Sequence, residues 1–159
     1  MAARKRPALS PRSVLAIATG VGATRARGAA SYREGAEQAL FAKRMAMDPR
    51  TRDLLWSATM TGVNLGVRVA AMRKAQGVRR GVPDFLLYER RSRVSDLGPM
   101  NMVWTGLALE FKNPNGTGRV SDDQRTWHDG LRQNGWQVAV VTSAVEAWQI
   151  VAVYLGFAP

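Results

Sequence analysis

The sequence predicts an α/β protein, a small mixed β-sheet flanked by helices, and three observations carry that expectation. A chain of 159 residues with 46% hydrophobic content suffices for one domain with a proper core. Apolar residues at helical spacing alternate with short apolar runs, in the order helix, strand, helix, two strands, helix, strand, helix. Residues that cap or break these elements stand where the pattern changes.

The first helix is expected from Ser31 to about Met47, with Ala36, Ala39, Leu40 and Phe41 mostly on one side, and Pro49 ends it. Leu54 to Ala58 reads as a short strand. Gly62 and Asn64 turn the chain into a second helix, Leu65 to Gln76, whose Arg68, Arg73 and Lys74 form a basic face and whose end is marked by Gly77. Solvent exposure and phosphate contact are equal readings of that face. Asp84 to Tyr88 and a long run from about Met102 to Lys112 read as an antiparallel pair of strands, separated by the polar loop Glu89 to Pro99. The linker from Glu89 to Trp104, with Arg90, Arg91 and Arg93, is longer than a tight hairpin needs and is expected to hold a substrate-specific loop.

Asn113 to Gly118 is turn-rich and placed to close over a substrate. Ser121 and Gln124 have the spacing of a capping box, and Gly135 stops the helix they open. Trp136 to Thr142 is a buried strand. The last helix, Ala144 to Leu155, is expected to bury Val145, Trp148, Ile150 and Val151 before Gly156 ends it.

Composition narrows the chemistry. Without cysteine and with a single histidine, the chain has no disulfide, no thiolate metal site and no histidine-rich zinc site. Any metal must be held mainly by oxygen, which points to a hard cation such as Mg2+ or Mn2+. The formal net charge of +11, from 23 basic and 12 acidic residues, favours a polyanionic partner, nucleic acid first. Residues 1–30 carry Arg4, Lys5, Arg6, Arg12, Arg25 and Arg27 with no acid, and read as a basic arm ahead of a domain spanning 31–159. The apolar run Val14 to Ala18 is short for a secretory signal and is followed by Gly20 and Gly22, so a cytoplasmic protein is expected rather than an exported basic binding protein. No segment approaches the length of a membrane span.

Two stretches carry the chemistry, Val78-Arg79-Arg80-Gly81-Val82-Pro83-Asp84 and Glu110-Phe111-Lys112. On a strand Glu110 and Lys112 share a face with Gly106 and Ala108, while Leu107, Leu109 and Phe111 form the bulky opposite face. If the two strands are neighbours, the Asp84 carboxylate approaches that of Glu110. Taken alone, Asp84 reads as a turn residue and Glu110 with Lys112 as an exposed edge ion pair.

Together with Gly118-Arg119-Val120-Ser121, Gln124 and Trp127, and with Glu37-Gln38 and Leu40-Phe41 upstream, these residues resemble the VRR-NUC nucleases of the PD-(D/E)xK superfamily, over roughly residues 31 to 155. The resemblance implies a restriction-endonuclease-like core. It implies that Asp84, Glu110 and the backbone carbonyl of Phe111 hold a Mg2+ or Mn2+ ion, and that Lys112 orients or activates the attacking water. A helical glutamate completes the site, Glu37 by its position before Gln38 and the Leu40-Phe41 pair, with Glu34 as its rival. Gln124 would lie near the metal.

Each assignment has a plainer reading. Gln124 serves equally as a helix cap. Trp127 reads as a core anchor, and His128, next to Asp129, as solvent-facing. Arg79 and Arg80, with Arg73, Lys74 and Arg119, are the candidates for nucleic-acid contact. The expected function is a metal-dependent endonuclease on branched, Holliday-junction-like or duplex DNA, acting as a homodimer without membrane attachment. The alternative is a non-catalytic nucleic-acid-binding protein on the same scaffold.

Overall fold

The computed structural model describes residues 32–59, 69, 72, 75–95, 98–113, 115 and 118–158, with the backbone alone given for 93–95 and 98–102. A helix over 32–47 is followed by strands β1 (Trp56–Ala58) and β2 (Phe85–Leu87). Next come β3 (Arg91–Ser95), β4 (Gly98–Trp104) and β5 (Gly106–Phe111), the helix Asp122–Gln133, β6 (Trp136–Val141) and the helix Ala144–Leu155. Within the predicted second helix Val69, Met72 and Ala75 are helical, whereas Arg68, Arg73 and Lys74, like the basic residues of 1–30, lie outside the described residues.

The main sheet has the order β1-β2-β5-β6. Its first two pairings are antiparallel and the β5–β6 pairing is parallel, so the sheet is mixed as expected. The parallel pair requires a crossover, and the Asp122–Gln133 helix supplies it. Its start is fixed by a complete capping box between Ser121 and Gln124. Gly135 and Gly156, at φ 77 and 79, occupy the left-handed conformation that follows a helix end.

Phe85, Leu87, Leu107, Leu109 and Phe111 pack with Phe41 and Met45 of the first helix and Ala147, Trp148 and Val151 of the last. The Phe41 ring meets Phe85 edge-on at 4.8 Å and Phe111 at 5.7 Å. The first helix is rotated from the expected facing. Phe41 and Met45 are fully buried, while Leu40 is 59% exposed, because the inward stripe runs through Glu34, Gln38, Phe41 and Met45. In the last helix Val145 is likewise turned out to solvent, and Trp148 and Val151 form the buried side.

The expected long strand and polar loop are a different object. The chain leaves β4 at Thr105, whose backbone N–H donates to Gly135 O at 2.8 Å and whose hydroxyl donates to Asn134 O at 2.9 Å. The polar stretch itself pairs as β3 with β4 in a separate two-stranded sheet, with a register shift between Arg93 and Ser95. The polar run Arg91-Ser92-Arg93 hid β3, because it lacks the apolar alternation that marks a strand in sequence. Tyr154 of the last helix donates its hydroxyl proton to Glu89 O at the base of this arm. The arm springs from the end of β2 and the start of β5, at the opposite end of those strands from Asp84 and Glu110. Among the described residues no helix is long and apolar enough to cross a membrane.

Candidate active site

The β2–β5 register, Phe85 to Leu109 and Leu86 to Ala108, places Asp84 opposite Glu110 when extended by one residue. Both project to the face shared by Ala108 and Gly106, as strand alternation requires. Gly106 is needed there because a Cβ would stand 2.5 Å from the Trp136 ring.

Asp84 is held through its backbone and its side chain. Asp84 O accepts from the Thr59 N–H at 2.8 Å and from Gln38 Nε2 at 2.9 Å, and the preceding Pro83 O accepts from the Thr59 hydroxyl at 2.6 Å. The carboxylate oxygen Oδ2 accepts from the Phe111 N–H at 2.9 Å. Gly81, at φ 83, allows the preceding turn to press on the Asp122–Gln133 helix, since a Cβ there would fall 2.5 Å from Asp123 backbone atoms. The glycine after the arginine pair is therefore a packing requirement.

Glu110 is only 1% exposed. Its Oε1 accepts from Lys112 Nζ at 2.6 Å and also from Gln124 Nε2. With side-chain exposures of 13% and 1%, the Lys112–Glu110 pair is no surface edge bridge. Burial pushes the Glu110 carboxyl up to about 7, Asp84 pushes the same way, and Lys112 opposes them. The other oxygen, Oε2, is buried without a hydrogen bond and faces His128 Nε2 at 3.9 Å, itself buried and unbonded. His128, expected at the surface, is 3% exposed. Burial, then Arg132 and Lys112, lower its pKa and favour the neutral imidazole.

Gln124 does both of the jobs considered for it. Its Oε1 accepts from the Ser121 N–H at 2.9 Å, completing the cap, while its Nε2 reaches Glu110. Trp127 is half-buried on the same helix and stands outside the main core cluster.

The helical glutamate at the strand ends is Glu34 rather than Glu37. Glu34 Oε1 accepts from the Asn113 N–H at 2.7 Å, and its charge helps raise Glu110. Glu37 Oε2 instead accepts from the Ala144 N–H at 2.8 Å, satisfying the first turn of the last helix. The reason is helical geometry: Glu34 stands four residues before Gln38 on the inward stripe, and Glu37 lies beside that stripe.

Arg79, Arg80 and Arg119 are exposed, and Arg80 Nε lies 3.9 Å from Asp123 Oδ2 at the start of the helix that carries Gln124. Three residues that place the site were not legible as such in the sequence, although Gln38 belongs to one of the pairs that carry the family resemblance. Gln38 and Thr59 act through the backbone of Asp84, and His128 is recognisable only as the residue four positions after Gln124 on one helix.

The donor set is compatible with a hard divalent cation. Asp84 and Glu110 adjoin the Phe111 carbonyl at one strand end, and all three are oxygen donors, the type a hard cation takes. Among the described residues no group of three or more His, Asp or Glu side chains is arranged to hold a metal, so backbone, water or substrate oxygens would have to complete the shell.

The sequence matches the family profile described as the VRR-NUC domain over residues 31–145. A solved structure described as a VRR_NUC domain protein is similar at a TM-score of 0.59 and 18% identity, covering 79% of this chain and 90% of that one. No curated protein matches the chain. At that identity the structural likeness speaks for the fold, and the profile match extends over most of the chain. The chain belongs to the VRR-NUC domain family and has its nuclease-type fold.

Proposed function

We propose that the protein is a metal-dependent nuclease that hydrolyses DNA phosphodiester bonds, and that it acts as a structure-selective endonuclease on branched DNA. The observation that carries this reading is the convergence of Asp84, Glu110 and Lys112 at one buried strand end. A non-catalytic binding protein would have no chemical need for two desolvated carboxylates and a lysine in one place.

Asp84, Glu110 and the Phe111 carbonyl would hold Mg2+ or Mn2+. When bound, such an ion lowers the pKa of water and polarises a phosphoryl oxygen. The chain's own groups do the rest. Lys112, fixed by Glu110, presents an ammonium that orients the attacking water and neutralises charge developing on the phosphate. Glu34 holds the Asn113 backbone directly after Lys112, so the lysine is anchored from both sides. Gln124 holds Glu110 Oε1, and the exposed Arg79, Arg80 and Arg119 offer phosphate contacts.

The acid-free residues 1–30 add sequence-independent affinity as a basic arm before the domain at 31–159. A homodimer would place two such sites on a branched substrate, and we assign the protein to the cytoplasm. The test is cleavage of labelled four-way junction, flap, duplex and single-stranded DNA with Mg2+ or Mn2+, comparing wild type with Asp84→Asn and Lys112→Ala. Cutting of one substrate by wild type, with both variants binding it uncut, is expected. Binding without cutting by all three would favour the scaffold alternative.

A further inference from the structure

We propose that His128 is a positioning residue: its Nε2–H hydrogen-bonds Glu110 Oε2 and, with Gln124 on Oε1, fixes the orientation in which that carboxylate receives a divalent cation. The inference rests on the reading of Glu110 as a metal-holding carboxylate.

Three observations carry it. First, Gln124 and His128 stand four residues apart in the Asp122–Gln133 helix, so they occupy the same helix face. Both reach the same carboxylate, Gln124 at Oε1 and His128 on the side of Oε2. Second, the oxygen and the nitrogen that face each other at 3.9 Å are both inaccessible to solvent and both without a hydrogen bond. A buried acceptor or donor left unpaired is costly, and two such atoms facing one another are the pair most readily satisfied together. Closing to about 2.9 Å, the ordinary hydrogen-bond length, requires a movement of about 1 Å, within reach of side-chain adjustment.

Third, the other partners of Glu110 act on one oxygen only. Lys112 and Gln124 both engage Oε1. A carboxylate held by one oxygen can still swing about it, and a second contact at Oε2 removes that freedom. The imidazole thus acts on a metal through Glu110 rather than as a ligand, in keeping with the lack of a three-residue His, Asp and Glu cluster among the described residues. Outer partners of this kind commonly change metal affinity by 10-fold to 100-fold when removed.

The test is calorimetric titration of Mn2+, and of Ca2+ as a cation read without turnover, into the full chain freed of metal. Wild type is compared with His128→Phe, which fills the site without a donor, and His128→Gln, which keeps one. Phe is expected to weaken Mn2+ binding by about 10-fold to 100-fold, and Gln to remain within about threefold of wild type. Melting in EDTA serves as the fold check, and His128→Ala replaces the Phe variant if the larger ring prevents folding.

A change in melting temperature with unchanged Mn2+ affinity makes His128 a packing residue and overturns the proposal. Equal weakening in Phe and Gln overturns it as well. If wild type binds no divalent cation and cuts none of the DNA substrates, the nuclease reading fails and this inference with it; cutting without cation binding by the free chain overturns this inference alone. If wild type binds and the Phe variant binds equally, this inference alone fails.

Discussion

Replacing Glu110 by Gln should stabilise the metal-free protein at pH 8 while abolishing cleavage. Gln keeps the size of Glu110 and a carbonyl oxygen for Lys112 and Gln124, but removes a charge from a side chain that is 1% exposed. Burial, helped by Asp84, raises the carboxyl from 4.5 to about 7 in the folded chain. The folded state therefore binds this proton more tightly than the unfolded chain. Its contribution to stability is fully present below about 4.5 and is lost as the pH rises through about 7.

A rise from 4.5 to about 7 corresponds to roughly 3 kcal/mol at full ionisation. The loss of a counter-ion for Lys112 makes that figure a ceiling. Urea unfolding in EDTA at pH 5 and pH 8 measures the effect. The Gln variant should exceed wild type by roughly 1–3 kcal/mol at pH 8, with the difference shrinking toward pH 5. Saturating Mn2+ should then shift the balance toward wild type, because ligand binding stabilises only the chain that binds it. A Gln variant less stable than wild type at pH 8 without metal would show that burial does not dominate the energetics of Glu110.

The remaining predictions concern neighbouring groups. Glu37→Ala should cost about 1 kcal/mol in urea unfolding through the lost contact to Ala144 N–H and leave cleavage near wild type, whereas Glu34→Ala should cut cleavage at least 10-fold; the reverse pattern would return the helical role to Glu37. Gly81→Ala should destabilise by more than about 1 kcal/mol, because the substitution combines a positive φ with a clash against the Asp123 backbone, and a neutral result would mean the turn can move away. Tyr154→Phe should cost about 1 kcal/mol and raise hydrogen exchange in β3 and β4, since Glu89 O loses its partner at the base of the arm. DNA binding should weaken steeply between 50 and 200 mM salt, and removal of residues 1–30 should flatten the slope measured by fluorescence anisotropy.

Much of the architecture was legible because it depends on local chemistry. Ser121 and Gln124 announce a helix start by spacing alone, and Gly135 and Gly156 mark helix ends because few other residues accept a positive φ. The apolar runs around Phe85 and Leu107 to Phe111 define the central strands, and alternation puts Glu110 and Lys112 on one face. The β3–β4 arm was not legible in the same way. Met102 to Trp104 read as strand, but as the start of β5, and the polar run of β3 has neither the periodicity nor the hydrophobicity that distinguishes a strand from a loop.

The sequence by itself determined the strand chemistry: oxygen donors, a lysine two residues after a glutamate, and an aspartate at the head of a neighbouring strand. Those facts follow from residue identity and a period of two. Tertiary structure decided which groups share a desolvated space. It brought Glu34 rather than Glu37 to the strand end by the rotation of one helix, set Gln38 and Thr59 on the backbone at Asp84, and buried His128 facing Glu110. Such choices depend on how helices dock on the sheet, and a helix rotated by one residue's 100° presents a different set of side chains to the same strand end.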